Sequence, residues 1–128
     1  MSDERELTSV RVSRRHGDHF AEGEVRMPEA SADDGSVIAA ALAWESLGRG
    51  YLHAGDAGGA VAAAEAGLEE LGEPPPDDDI VDDTELKLYA AQERVRQGHT
   101  ADGAANMLDI LRVRAGLYAD ALQGHLVD

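Results

Sequence analysis

The sequence predicts a mostly α protein, about four helices in antiparallel hairpins, with a small N-terminal β-hairpin. Three observations carry this. Apolar residues recur at three- and four-residue spacing from Ile38 to Leu122. They alternate with polar residues only between Leu7 and Met27. Glycine or proline marks each change of pattern, at Gly17, Gly55, Gly72 to Pro76, and Gly98. A chain of 128 residues suits one compact unit. It divides into a hairpin and linker over 1–35 and a helical domain over 36–128.

Met1 to Glu6 is charged and expected to fray. In the first strand Val10 and Val12 alternate with Ser9, Arg11 and Ser13. In the second, Ala21, Val25 and Met27 face one way and Glu22, Glu24 and Arg26 the other. Gly17-Asp18 suits a turn, within a loop expected to exceed two residues. An isolated hairpin is marginal in water, so it must pack on the helices, pair with another chain or stay mobile.

Pro28 to Gly35 forms a polar linker, and Ser36 suits the N-cap of a first helix running to about Ala54. Ile38, Leu42 and Leu52 are among its apolar positions. Ala54-Gly55-Asp56 breaks it. A second helix, about Ala57 to Leu71, carries Val61, Ala64, Leu68 and Leu71 as one stripe. Gly72-Glu73-Pro74-Pro75-Pro76 ends it, because proline cannot continue a helix. Asp77 to Asp79 prolongs that linker and faces the dipole of a third helix, from Ile80 or Asp83 to Gln97. Its apolar positions are Leu86, Ala90 and Val95, beside Leu88 and Ala91. After Gly98, Thr100 suits the cap of a long fourth helix. That helix carries Ala104, Met107, Leu108, Leu111, Leu117, Tyr118, Ala121 and Leu122, is weakened at Gly116, and ends near Gly124.

Composition sets the energetics. Hydrophobic residues make up 43% but aromatics only 4%, so the core must come from close helix–helix approach. Asp and Glu number 26 against 11 Lys and Arg, for a net charge of −15. Lys87 is the single lysine. Such self-repulsion destabilises a compact state at low ionic strength, and salt screens it. The balance fits adaptation to high intracellular salt, as in haloarchaea; an arginine-preferring genome at ordinary salt is the rival source. It argues against sequence-independent nucleic-acid binding, which rests on basic contacts to phosphate. The chain has no cysteine, hence no disulfide, thiol nucleophile or thiolate metal site. No apolar run approaches the roughly 20 residues of a membrane span. A cytoplasmic protein is expected.

The stretch from Ala43 to Gly72 resembles one unit of the tetratricopeptide-repeat (TPR) family. Trp44, Leu47, Gly48 and Tyr51 match W-x2-L-G-x2-Y, Gly55-Asp56 the turn, and Ala60 the small position. By close packing alone, Gly48 and Ala60 permit two backbones to approach while Trp44 and Tyr51 fill the space beside them. The third and fourth helices resemble a degenerate second unit. Ala90 and Ala91 take the Leu-Gly positions, Gly103 takes the small one, and Lys87 and Arg94 replace the aromatics. Gly55 and Gly98 lie 43 residues apart, against about 34 in the family. Such arrays need about three units, so a homodimer could supply the missing area.

In that family the first helix of each pair lines a groove that holds peptides. The resemblance implies partner contacts at Glu45, Ser46, Arg49 and His53, and at Tyr89, Gln92 and Arg96. Chaperone-binding members use Lys and Asn there to clamp a terminal carboxylate. Glu45 and Arg49 stand at two of those positions, which argues against that ligand. The plain alternative is a solvated helix face.

His16 and His19 with Asp18 lack the further ligands of a metal site. Asp77 to Asp79 with Asp82 and Asp83 lack the spacing and glycine of an EF-hand. Arg11, Arg14, Arg15 and Arg26 cluster on the hairpin, where they either balance charge or meet phosphate or another chain's carboxylates. No G-x-S-x-G, P-loop, Rossmann or H-E-x-x-H motif occurs. No catalytic residue, cofactor or metal is therefore predicted. The expected function is a small acidic protein-interaction module, an adaptor or assembly subunit binding a peptide or partner protein. The alternative is a small-ligand- or metal-binding protein, or a minor enzyme, with a pocket between the hairpin and the helices.

Overall fold

A computed structural model describes residues 7–28, 32–72 and 79–127. Two strands, β1 (Leu7–His16) and β2 (His19–Pro28), precede four helices. These are α1 (Ala32–His53), α2 (Ala57–Leu71), α3 (Asp79–Arg96) and α4 (Thr100–Val127). The protein is mostly α with an N-terminal antiparallel hairpin, as its patterning requires.

The hairpin loop is shorter than expected. Gly17 and Asp18 alone join the strands, and His16 pairs directly with His19. Gly17 takes φ 61°, the positive value a two-residue hairpin turn needs at its first position. Alternation then puts Val10, Val12, Ala21 and Val25 on one face, and that face packs on α1. Val12 meets Ala39 and Ala40 in one buried cluster. A Cβ added at Gly23 would stand 2.9 Å from the Ala39 carbonyl oxygen and 2.7 Å from Ala43 Cβ. The missing side chain lets β2 lie directly on the helix.

Helix α1 starts at Ala32, so Ser36 lies inside it rather than capping it, and the 35/36 boundary falls within a helix. Residues 29–31 of the expected linker, like 1–6 and 73–78, lie outside the described residues. Helices α1 and α3 end alike. The Gly55 amide donates to the Leu52 carbonyl and the Asp56 amide to Tyr51; Gly98 and His99 repeat this with Val95 and Arg94. That double closure requires a left-handed residue at the first position, which glycine supplies. Asp56 then caps α2, its carboxylate accepting from the Gly59 amide at 2.9 Å. Asp79 is the first residue of α3, not linker. At α4 the cap is His99, whose carbonyl accepts from the Gly103 amide, and Thr100 is already helical. That helix runs through Gly116 and Gly124 to Val127, since neither glycine is followed by a breaker.

Helix α4 is the centre of the packing, contacting α1, α2 and α3. Leu108 fills the space left by Gly48, where an added Cβ would come within 2.6 Å of it. Leu111 does the same at Gly67, within 2.4 Å, beside Trp44. Gly48 therefore admits a side chain of α4, with Ala63 of α2 3.4 Å from the same point, rather than a direct contact with Ala60. On its other face, α4 meets α3 backbone to backbone. A Cβ on Gly103 would stand 2.7 Å from the Ala91 carbonyl oxygen.

The largest fully buried side chains are Trp44, Met107, Leu108 and Leu111, set among alanines. The buried residues of α2 are Gly59, Ala60, Ala63, Ala64, Ala66, Gly67 and Leu71, while Val61 and Leu68 are half-buried. On α3 the packed positions are Thr84, Leu88, Ala91 and Val95. Leu86 and Ala90, expected inside, are exposed because that phase points away from α4. Arg114 is buried at the far end of the α3–α4 contact, its Nε donating to Thr84 Oγ1 at 3.1 Å.

Candidate functional site

Glu45 and Arg49 stand one turn apart on α1, which brings their side chains together. Arg49 Nε donates to Glu45 Oε2 at 2.8 Å, and its Nη2 donates to Asp109 Oδ1 of α4 at 2.7 Å. The hydrogen bond to Glu45, then that to Asp109, raises the Arg49 pKa. These charges tie α1 to α4, and Asp109 had no signal in the sequence. At this exposure the ties contribute modestly, about 0.2–1 kcal/mol.

The other predicted residues sit elsewhere. His53 is exposed at the last position of α1, and Ser46 is exposed beside β2. Gln92 and Arg96 line an open depression of about 340 Å³ with Val61 and Glu65 of α2 and Met107 of α4. Tyr89, 69% exposed, stands just before them on α3. The α1 residues and the α3 residues thus do not share one groove. Leu108, which faces α1, stands five positions after Gly103, which faces α3, or about 140° around α4.

The hairpin is tied to the helices by residues whose partners the sequence left open. His19 Nδ1 and the Tyr51 hydroxyl share a hydrogen bond of 2.9 Å. The His16 ring meets Trp44 edge-on, with centroids 6.4 Å apart. Arg14 Nε reaches Glu70 of α2 at 2.7 Å. A depression of about 260 Å³ opens beside these contacts, with Arg15 and Glu69 on its rim. On the outer face, Arg11 donates to Glu24 at 2.6 Å and holds that carboxylate below its ordinary pKa. A second groove, about 490 Å³, runs between β2 and α1. Ala43, Leu47 and Tyr51 form its floor, and Phe20 and Glu22 its rim.

Among the described residues no three His, Asp or Glu side chains gather as a metal-ligand set. No described helix is long and apolar enough to cross a membrane. Searches against protein-family models, curated proteins and solved structures each return no match.

Proposed function

We propose that the protein is a small acidic interaction module, an adaptor or assembly subunit that binds another protein in a salt-rich cytoplasm. One observation carries the reading. Leu86 and Tyr89, three residues apart on α3, are 71% and 69% exposed. Large apolar side chains at that spacing are how a helix offers anchors to a partner. Gln92 and Arg96 continue the surface with hydrogen-bonding and charged groups beside the α2 depression. Glu45, Arg49 and His53 offer a second, polar strip on α1. The Trp44-Leu47-Gly48-Tyr51 pattern supports a TPR-like origin for the α1–α2 pair.

The test is capture from native extract on immobilised protein, at several salt concentrations, with stoichiometry read by mass spectrometry. Wild type retains one partner in defined ratio, and Leu86→Ser with Tyr89→Ser loses it while helical circular dichroism is unchanged. Retention of nothing by wild type, or equal retention by the double variant, overturns the reading.

A further inference from the structure

We infer that two copies of this chain join through the free edge of β2, forming one continuous four-stranded antiparallel sheet. This stands apart from the α3 surface, and either can fail alone.

Among the described residues the sheet has two strands, each with one edge that no described strand pairs. An open edge is a row of unpaired N–H and C=O groups ready to accept a strand. The β1 side lies toward α2, where Arg14 reaches Glu70. The β2 side opens on the groove floored by Ala43, Leu47 and Tyr51 of α1. Its rim residue Phe20 remains 47% exposed.

Charge selects a second copy as the occupant. Across a chain of net charge −15, the hairpin over residues 7–28 carries four arginines against three carboxylates. Each of the four helices carries more acidic than basic residues. Two copies therefore meet with least repulsion hairpin to hairpin.

The pattern along β2 is also self-complementary. A two-residue turn closes on a hydrogen-bonded pair, here His16 and His19. Alternation then directs the backbone groups of Phe20, Glu22, Glu24 and Arg26 to the free edge. A two-fold axis at Glu24 sets Arg26 of each copy opposite Glu22 of the other but opposes the two Glu24 carboxylates, which repel. An axis at Val25 sets it opposite Glu24. An axis at Gly23 would instead oppose Glu22 and Glu24, which repel. Arg26 is thus the residue that makes the pairing attractive. The exposed Ser46 and Gly50 leave room beneath the joined sheet, and Gly50 has nothing within 4 Å of an added Cβ among the described residues.

Sedimentation equilibrium decides it. The wild-type chain, 13.5 kDa, sediments at twice that mass at micromolar concentration in molar KCl. Arg26→Glu sediments as a monomer with unchanged circular dichroism. Mixing Arg26→Glu with Glu22→Arg,Glu24→Arg restores the double mass, because each strand again faces opposite charge. Three results overturn the inference: a monomeric wild type up to about 100 µM, an Arg26→Glu dimer as tight as wild type, or an edge occupied by a different protein that Arg26→Glu releases.

Discussion

Replacing Gly103 with alanine tests the feature on which the helical packing depends, the close approach of α3 and α4. The new Cβ would stand 2.5 Å from Val95 Cγ2, 2.7 Å from the Ala91 carbonyl oxygen and 3.2 Å from the Val95 nitrogen. A rotamer change relieves the first clash. The other two involve backbone, so the helices must separate by about half an ångström. Overpacking of this kind costs about 1–3 kcal/mol. Alanine's better helix propensity returns up to about 1 kcal/mol, leaving a net loss near 1 kcal/mol. Gly116, in the same helix, is the control. It is exposed, and an added Cβ meets nothing within 4 Å among the described residues. Gly116→Ala therefore gains up to about 1 kcal/mol from propensity alone. The two variants should differ by about 2 kcal/mol, or about 8 °C in Tm for a chain of this size. Urea titration and thermal unfolding in one buffer measure it. If Gly103→Ala is as stable as Gly116→Ala, the close approach of the two backbones is refuted.

Thr84→Val removes the acceptor of the buried Arg114 Nε and should cost about 1–3 kcal/mol; no loss in a urea titration would show that the contact is dispensable. Glu24, whose pKa is lowered by the Arg11 hydrogen bond, should titrate below ordinary glutamates by NMR, and Arg11→Ala should return it to their range. The depressed value makes this pair's contribution present above the unfolded pKa, about 4.3, and lost as pH falls through the folded one. A Glu24 midpoint unmoved by Arg11→Ala would contradict that assignment. Tm should rise steeply from low to molar KCl, since salt screens the repulsion within a chain of net charge −15; a midpoint insensitive to salt would remove the salt-adapted reading.

Much of the hairpin-and-helix plan is legible in the sequence. Gly55 and Gly98 end α1 and α3 because the closing hydrogen bonds need a left-handed residue, and that need is local to a few residues. The pairing of Glu45 with Arg49 is equally local, since a one-turn spacing brings two side chains together, but the sequence reading gives both residues to a partner. Asp109 is not legible, lying sixty residues further along the chain. Nor is the division of the predicted groove, because α1 and α3 meet α4 on different sides.

What the sequence determined by itself was local: the strands' alternation, the turn glycines, and the helical stripes, all set by backbone geometry within a few residues. Which surface each stripe meets was decided only in three dimensions. Periodicity says that a face is apolar, but an alanine and glycine face has little shape of its own and accepts several neighbours. Gly48 shows this, because its empty position could admit a backbone or a side chain, and only the placement of α4 gives it to Leu108.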